Sequence, residues 1–329
     1  MRPFRYERPP TAAAAVELVS GEPGAAFLAG GTNLVDLMKL HVERPDLLVD
    51  VTQVTSDRIE SLPGGGGVRI GAGVSNSDLA ADPAIRERYP ALSQALLSGA
   101  TYQLRNRATT GGNLMQRTRC VYFQDVTKPC NKRTPGAGCA ALDGYHRGLA
   151  VLGHSRSCVA TQPSDMAVAL AAFDAVVRVQ GAAGIREIPV SELHRLPGDD
   201  PQRDTVLERG DLIVAVDLPA LPIAARSRYR KVRDRASYAF ALVAVAAAID
   251  VRDGVVHDVR IALGGVAHKP WRASRAEQAL RGAEPTEERF RRAADAELDQ
   301  AAPLPANAFK VALARTTIVR TLLELAEQP

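Results

Sequence analysis

The first fifty residues alternate between helical and strand-like patterns of apolar side chains. "TAAAAVELVS" has the helical period, with Thr11 in the position of an N-cap and Gly21 where a helix would stop. "AAFLAGGTN" predicts a short strand that ends in a glycine turn, "NLVDLMKL" predicts a helix, and "PDLLVDV" predicts a second strand. The pattern therefore predicts a β–turn–α–β unit near the N-terminus.

The central part of the chain predicts a second set of strands and helices. A strand is predicted at residues 68–72, and helices are predicted at 77–81 and 91–97. "PSDMAVALAAF" predicts an amphipathic helix capped by Ser164, and "AVVRVQG" with "REIPV" predicts a hairpin. "DLIVAVDLP" predicts an apolar strand, and the two prolines of "LPALPIAA" indicate a linker near residue 222.

The last third predicts strands followed by helices. "SRYRKVR" is strand-like, "AFALVAVAAAID" fits a strand or a helix, and "VRDGVVHDVRIALGG" predicts a hairpin around Asp253-Gly254. From about residue 272 the apolar spacing is helical. The pattern predicts a mixed α/β domain to about residue 222 and a smaller α+β domain after it, without internal repeats.

Composition and charge exclude several classes of partner. The 329 residues suffice for two domains, and 46% hydrophobic with 24% charged residues is an ordinary globular composition. The net charge is only +4 and the arginines are dispersed, which gives no support for a nucleic-acid partner. "MRPFRYERPP" has no apolar core, so no export signal is expected, and the longest apolar run is shorter than a membrane span of about 20 residues. We expect a soluble protein without membrane insertion.

Two glycine pairs have the pattern of phosphate-binding turns. In "LAGGTNL", Gly30-Gly31 lies between a strand and a helix, where successive N–H groups can form a concavity for a pyrophosphate. "RATTGGNLMQ" repeats this arrangement with Gly111-Gly112 after two threonines. The dinucleotide fingerprint G-x-G-x-x-G is absent, so the turns predict a nucleotide without naming it.

All four cysteines fall within a 39-residue window that is rich in proline and glycine. Disulfides require an oxidising compartment, for which the chain carries no signal, and gaps of nine, eight and eighteen residues lack the close pairs of a zinc site. Four thiolates on an irregular loop fit an iron–sulfur cluster better. Basic residues that can offset its charge are Arg117, Arg119, Lys128 and Lys132, whereas His146 and His154 are expected to be solvated.

Four segments together resemble a known family. "FLAGGTNLVDLMK", "ATTGGNLMQ", "PSDMAVALAAFDA" and "DLIVAVDLP", in this order, resemble the FAD-binding subunit of molybdenum hydroxylases, which include xanthine and carbon monoxide dehydrogenases. The resemblance implies an α+β protein with a two-subdomain FAD-binding fold of the vanillyl-alcohol oxidase (PCMH) type. That domain would cover residues 1–222, with subdomains at about 1–55 and 56–222, and a small C-terminal α+β domain would cover 223–329.

Residues 117–160 depart from most of this family as an insertion that carries every cysteine. The insertion is similar to that in the flavin subunit of periplasmic aldehyde oxidoreductases, which holds an additional [4Fe-4S] cluster. The resemblance therefore implies FAD and a [4Fe-4S] cluster ligated by Cys120, Cys130, Cys139 and Cys158. The hydroxybenzoyl-CoA reductase branch also carries a cluster in this subunit and is the alternative.

The resemblance also assigns FAD contacts to individual residues. The glycine-turn segment Phe27, Leu28, Ala29, Gly30, Gly31, Thr32, Asn33, Leu34 and Val35 would line the adenosine diphosphate part. The other contacts it implies are Thr109, Gly112 and Asn113 at a phosphate or the ribityl chain, Asp165 at a hydroxyl, Ile213 near the ring, and Lys231 at the ring's polar edge. Tyr102, Gln116 and Tyr238 are possible neighbours of the ring.

The family's role implies electron transfer with no catalytic acid or base in this chain. A large molybdenum-cofactor subunit oxidises an aldehyde or purine, a small [2Fe-2S] subunit relays the electrons, and FAD passes them to a small-molecule or protein acceptor. The resemblance thus implies a heterotrimeric, molybdenum-dependent aldehyde oxidoreductase. The compartment would be the periplasm if a twin-arginine partner exports the chain, and otherwise the cytoplasm.

Two further function classes make different predictions. A non-enzymatic nucleotide-fold module with a zinc-stapled loop would bind zinc and no flavin. A stand-alone flavin oxidase of the vanillyl-alcohol type would need catalytic bases in its substrate domain, for which the C-terminal hundred or so residues offer few candidates.

Overall fold

Three β-sheets with helices packed between them organise the chain. The computed structural model describes residues 1–64 and 66–327. The strands are β1 (Arg5–Glu7), β2 (Ala25–Leu28), β3 (Leu47–Asp50), β4 (Ile59–Ser61), β5 (Val68–Gly71), β6 (Val176–Gly181), β7 (Gly184–Pro189), β8 (Leu212–Leu218), β9 (Ser227–Val232), β10 (Val243–Arg252), β11 (Val255–Gly264) and β12 (Trp271–Arg272).

The helices occupy the stretches between and after these strands. They are α1 (Ala12–Gly21), α2 (Leu34–Lys39), α3 (Asn76–Ala81), α4 (Pro83–Arg88), α5 (Pro90–Ser98), α6 (Tyr102–Arg107), α7 (Thr110–Leu114), α8 (Val121–Gln124), α9 (Asp165–Ala172), α10 (Val190–Leu193), α11 (Ser274–Leu280), α12 (Glu287–Leu298) and α13 (Phe309–Ala326). Short 3₁₀ turns cover Pro222–Ala225 and Pro305–Asn307. The mixture of helices and mainly antiparallel sheets is of the α+β class, as predicted.

The first sheet is parallel and has the strand order β1-β3-β2. Helix α1 begins after Thr11, whose Oγ1 accepts a hydrogen bond from the Ala14 N–H at 3.1 Å. The chain then runs through β2, the glycine turn and α2 into β3, which confirms the predicted β–turn–α–β unit. Buried residues of α1 and β3 pack with Leu212 of β8, so this sheet lies against the second one.

The second sheet is antiparallel, with the order β4-β5-β8-β6-β7. Strands β6 and β7 form the predicted hairpin, and Ser164 caps α9 by accepting a hydrogen bond from the Ala167 N–H at 3.0 Å. The prediction that α9 is amphipathic was wrong, because residues 166–172 are all buried. The helix packs between this sheet and the next, so apolar side chains are favourable on every face of it.

The third sheet is antiparallel, with the order β12-β11-β10-β9. The segment "AFALVAVAAAID" forms β10, whose residues 243–249 are buried on both faces. Ala244 and Ala246 face the core around α9, whereas Val243 and Val245 face the core beneath α13. An apolar run buried on both faces has no alternation in hydrophobicity, which explains why sequence alone left the choice between strand and helix open.

Hydrogen bonds from the C-terminal helix connect the cysteine-bearing segment 117–160 to the end of the third sheet. Lys310 of α13 is fully buried, and its Nζ donates hydrogen bonds to the carbonyls of Gly148 (3.1 Å), Leu149 (2.7 Å) and Gly265 (2.5 Å). The Asn307 amide adds a hydrogen bond to the Leu149 carbonyl. One lysine thus satisfies carbonyls from two distant parts of the chain.

We expect Lys310→Met to lower the free energy of unfolding by about 2 kcal/mol, because it leaves buried carbonyls without a donor. The relief of a buried charge offsets only part of this loss. Urea unfolding of the purified chain measures the change. Lys39→Met, at an exposed position, is the control and is expected to stay within about 0.5 kcal/mol. Equal stability of the two variants would contradict the assigned role of Lys310.

Among the described residues, no helix combines the length and the apolar character required to cross a lipid bilayer.

Candidate functional site

A cavity of about 270 Å³ lies between the first and second sheets, against the glycine turn. Its wall includes Phe27 and residues 29–34 of the turn, the glycine pair Gly111-Gly112, and Ile213 of β8. Apolar groups from both sheets surround the turn's backbone. The predicted residues of the first glycine motif, of the second motif and of β8 therefore meet in one place.

The glycines of the turn are required by close backbone contacts. A Cβ on Gly30 would lie 2.0 Å from the carbonyl oxygen of Arg107, and Gly31 has a φ of +75°, which disfavours residues with a side chain. Leu28 and Val35 are not in the cavity wall; their side chains pack behind Gly31 instead. The turn thus presents its backbone, rather than side chains, to the cavity.

The polar groups of the turn fit a phosphate-bearing ligand. Within residues 1–64 and 66–327, the backbone N–H groups of Gly31, Thr32 and Asn33 donate no hydrogen bond. The buried Nδ2 of Asn33 also has no partner among the described residues, although its Oδ1 accepts a hydrogen bond from the Arg117 N–H at 2.9 Å. Unpaired donors beside a cavity are what an anionic oxygen of a nucleotide would satisfy.

A second cavity of about 360 Å³ continues from the first, since Thr32, Asn33 and Gly112 belong to both walls. The two cavities form one elongated cleft, which we call the flavin cleft. Other predicted contacts that line its second part are Asn113, Gln116, Asp165, Lys231 and Tyr238. The cleft is long and polar at its middle, as an extended dinucleotide requires.

A buried ion pair lies in the second part of the cleft. The Lys231 ammonium contacts the Asp165 carboxylate at 2.7 Å, and the Tyr229 hydroxyl donates to the other oxygen of Asp165 at 2.6 Å. The Lys231 side chain is only 4% exposed, although its strand position alone suggested a solvated lysine. Burial and the Asp165 charge raise the pKa of Tyr229, so its hydroxyl stays a hydrogen-bond donor. Sequence reasoning missed Tyr229, because an aromatic residue in a strand carries no distinct functional signal.

Two further predicted residues lie outside the cleft wall. The hydroxyl of Thr109 accepts a hydrogen bond from the Gly112 N–H at 3.2 Å and so caps the second glycine turn. Tyr102 is 64% exposed on α6. Asn113, in contrast, is fixed in the wall: its Oδ1 accepts hydrogen bonds from Gln116 at 2.9 Å and from Ser164 at 2.5 Å.

The four cysteines converge on one core, which we call the cysteine core. Cys120, Cys130 and Cys158 are buried there, Cys139 is partly exposed, and Phe123 packs among them. Burial raises the pKa of Cys120 and Cys158, while the backbone N–H groups of Phe123 and Tyr122 lower that of Cys120 and the N–H of Ala160 lowers that of Cys158. Backbone N–H groups that favour thiolates are a common feature of iron–sulfur sites.

Burial disfavours the thiolate forms of Cys120 and Cys158. Burial raises the pKa of Cys120, and it raises that of Cys158 to about 12 against the opposing charge of Lys132. No group of three or more cysteine, histidine, aspartate or glutamate side chains in the described part of the chain converges as the ligands of a single metal ion would. Thiolates at the corners of a cluster bind different irons and need not converge, so four thiols sharing one core still fit a cluster.

Two of the four expected basic residues are engaged by carboxylates and do not face the cysteines freely. Arg117 binds Glu43 at 2.5 Å and Asp204 at 2.8 Å, and Lys132 binds Asp204 at 2.5 Å. Arg119 has no carboxylate partner among these ion pairs and lies over the Phe240 ring, 5.3 Å from its centroid. Burial lowers the pKa of Arg119, which shares none of the ion pairs of Arg117 and Lys132.

The cysteine core and the flavin cleft are adjacent. Leu37 of α2 packs in the cysteine core and also lines the first part of the cleft. Arg119, next to Cys120 in sequence, lines the second part. Sequence reasoning missed Leu37, since an apolar position of an amphipathic helix carries no distinct signal. It predicted Arg119 as a cation near the cysteines, but not its place in the cleft wall.

A third cavity of about 240 Å³ contains two buried histidines that sequence did not indicate. Neither ring nitrogen of His268, nor Nδ1 of His194, has a partner within the described residues. Burial lowers the pKa of both, that of His268 to about 3, so the rings are neutral near pH 7. His146, expected to be solvated, is also buried, and its Nε2 accepts a hydrogen bond from the Ala306 N–H at 3.0 Å.

We expect His268 to make the fold acid-labile. In the unfolded chain this histidine has a pKa of about 6.5, so below that pH the unfolded chain binds a proton that the folded chain excludes. The free energy of unfolding therefore decreases as the pH is lowered from about 6.5 to about 3, the pKa of His268 in the folded chain. When the pH is lowered from 7 to 5, the free energy of unfolding of the wild type should decrease by about 2 kcal/mol more than that of the His268→Leu variant. Urea unfolding at the two pH values measures this difference, and equal losses would contradict the neutral buried state.

Comparisons with known proteins agree with this geometry. Residues 2–221 match the family described as the FAD binding domain in molybdopterin dehydrogenase, and residues 227–325 match the CO dehydrogenase flavoprotein C-terminal domain. The chain is 51% identical to the aldehyde oxidoreductase FAD-binding subunit PaoB of Escherichia coli (strain K12), over 100% of both chains. It is 27% identical to the putative xanthine dehydrogenase FAD-binding subunit XdhB of the same organism, over 84% of this chain and 79% of that one.

The fold also matches solved structures. A carbon monoxide dehydrogenase chain from Hydrogenophaga pseudoflava, in an enzyme that lacks the Mo-pyranopterin moiety, superposes with a TM-score of 0.75 and 26% identity, over 98% of this chain and 96% of that one. The predicted resemblance and FAD-binding fold are thereby confirmed. The chain belongs to the family of FAD-binding flavoprotein subunits of molybdenum hydroxylases, that of the xanthine and carbon monoxide dehydrogenase medium subunits.

Proposed function

We propose that this chain is the FAD- and [4Fe-4S]-containing electron-transfer subunit of a molybdenum-dependent aldehyde oxidoreductase. The observation that carries the proposal is the contact of the cysteine core with the flavin cleft through Leu37. The 51% identity to PaoB over the full length of both chains supports aldehyde as the substrate class of the complete enzyme. A hydroxybenzoyl-CoA reductase-like role is the alternative.

The flavin cleft would hold FAD along its whole length. The free N–H groups of Gly31, Thr32 and Asn33 would bind the pyrophosphate, while Gly112 and Asn113 would meet the part of the ligand that enters the second cavity. FAD, when bound, accepts electrons singly and releases them in pairs. Lys231 would place a positive charge by the ring, and Asp165 with Tyr229 holds that lysine in position.

The cysteine core would hold the [4Fe-4S] cluster through Cys120, Cys130, Cys139 and Cys158. The N–H groups directed at Cys120 and Cys158 stabilise thiolates there and offset the burial that keeps free thiols protonated. Binding of the cluster therefore releases the thiol protons, and the free energy of cluster ligation adds to the free energy of folding.

The partners proposed for this subunit are a small [2Fe-2S] subunit, a large molybdenum-cofactor subunit, and an external small-molecule or protein acceptor. Names such as "medium chain" and "FAD-binding subunit" among the relatives support a hetero-oligomer. The periplasm would be its compartment if it is exported with a twin-arginine partner, and the cytoplasm otherwise. The division into residues 1–222 and 223–329, with the insertion at 117–160, stays a prediction.

Anaerobic mixing of the assembled enzyme with an aldehyde tests the function. We expect the flavin's visible absorbance to bleach within a single turnover without any added acceptor, and to return when an acceptor is added. Enzyme assembled with a FAD-free variant of this chain should still oxidise the aldehyde once but should show only the bleaching of its iron–sulfur clusters, without the flavin contribution. A wild-type flavin that stays oxidised while the aldehyde is consumed would contradict the proposal.

A further inference from the structure

Two of the cysteines lie directly opposite each other. Cys130 and Cys139 are partners in an isolated antiparallel bridge. The flanking hydrogen bonds run from the Asn131 N–H to the Gly138 carbonyl at 2.8 Å and from the Ala140 N–H to the Pro129 carbonyl at 3.3 Å. Because these bonds lie on either side of the pair, the two cysteines occupy a non-hydrogen-bonded position, where opposed Cα atoms are about 4.5 Å apart and side chains are closest. Disulfides form when the Cα atoms are about 4.4–6.8 Å apart.

The chain itself holds this pair in register. The Asn131 side chain accepts a hydrogen bond from the Gly138 N–H at 2.7 Å and donates one to the Ser157 carbonyl at 3.0 Å. The Thr134 N–H donates to the Cys130 carbonyl at 2.9 Å, which closes the turn between the two cysteines. None of these bonds involves a cluster ligand atom, so they can persist in the chain before the cluster is present.

We propose that Cys130 and Cys139 form a disulfide when the cluster-free chain is oxidised, and that this bond blocks insertion of the cluster. The first half concerns the chain's own geometry, whereas the second half rests on the proposed [4Fe-4S] site. The cluster would protect the thiols once it is bound, and a reductant would restore the oxidised chain.

The oxidant is a disulfide such as oxidised glutathione. The partly exposed Cys139 thiolate attacks one glutathione sulfur, which forms a mixed disulfide and releases one glutathione thiolate. Cys130, as thiolate, then attacks the Cys139 sulfur and releases the second glutathione. The chain loses two protons and two electrons, and oxidised glutathione gains them as two thiols.

The other two cysteines are poor competitors for this reaction. Cys120 and Cys158 are both buried, whereas Cys139 is partly exposed, so a disulfide in solution reaches Cys139 more readily. Their backbones are not paired as those of Cys130 and Cys139 are. The geometry therefore selects one pair from the possible combinations.

The test begins with the full chain stripped of iron by a chelator without oxygen and then treated with oxidised glutathione. Trypsin and chymotrypsin together separate the four cysteines, because Tyr122, Arg133 and Arg147 lie between successive ones. Mass spectrometry without reduction should find the peptides of Cys130 and Cys139 linked, with a loss of two hydrogens. Linkage of any other pair, or four free thiols, would overturn the inference.

Matched variants and iron uptake complete the experiment. Cys120→Ser and Cys158→Ser should keep the link between Cys130 and Cys139, whereas Cys139→Ser should lose it. The oxidised wild type should take up no cluster iron in an anaerobic reconstitution, and dithiothreitol should restore uptake. Equal uptake by the oxidised and the reduced chain would overturn the blocking effect. A linked pair in a chain that takes up no iron even when reduced would instead count against the proposed cluster and leave the disulfide standing.

Discussion

Replacement of Gly30 by alanine should remove stoichiometric FAD from the purified chain. The added Cβ would lie 2.0 Å from the carbonyl oxygen of Arg107 and 2.9 Å from its carbonyl carbon. Both are backbone atoms, so no side-chain rotation relieves the contact, and either the glycine turn or the segment around Arg107 must move. A shift of this kind costs about 3 kcal/mol, which weakens binding about a hundredfold when the displaced turn is the binding surface.

The ratio of released FAD to protein, measured after denaturation, gives the result directly. Gly21→Ala is the control, because a Cβ at Gly21 meets no atom within 4 Å, and this variant should keep one FAD per chain. A folded Gly30→Ala chain with a full complement of FAD would show that the turn is not the binding surface. Far-ultraviolet circular dichroism of both variants establishes that they are folded.

Replacement of Cys158 by serine should remove the iron and leave the flavin. A serine hydroxyl at this buried position is a poor ligand for iron, and three thiolates do not hold a complete [4Fe-4S] cluster as four do. Iron should fall from about four per chain to almost none. Since ligation contributes to folding, the unfolding temperature should fall as well.

Iron analysis beside FAD quantification on the same sample measures this change. Ser157→Ala changes the neighbouring side chain and keeps all four thiols, so it should retain its iron. An unchanged iron content in Cys158→Ser would mean that the cysteine core is not the ligand set. Loss of FAD together with iron would mean that the two sites are not independently loaded.

Local patterns in the sequence were sufficient to predict most of the elements. The cap at Thr11, the hairpin of β6 and β7, and the alternation between strand and helix around Gly30-Gly31 all involve neighbouring residues, and the structure confirms each of them. The error at α9 and the open choice at β10 have one cause. Both segments are buried on every face by sequence-distant partners, so tertiary packing rather than local period decided their form.

The candidate site likewise has some features that the sequence predicts and others that depend on sequence-distant partners. Glycine pairs and clustered cysteines are visible in the sequence because the chemistry needs those residue types close together. The partners of Lys231 and Lys132 are not visible, since Asp165 and Asp204 are each more than sixty residues away along the chain. Leu37 connects the two sites only because α2 folds against the insertion, which no pattern within α2 records.

Quantification of flavin, iron and zinc, with an absorbance spectrum, on the chain purified without oxygen tests the central claim most directly. We predict about one FAD and about four irons per chain, with no zinc, as a flavin and [4Fe-4S] subunit requires. FAD with zinc, or FAD with a disulfide and no iron in freshly prepared chain, would contradict the cluster and leave only the flavin role. A folded chain with neither flavin nor iron would contradict the whole account.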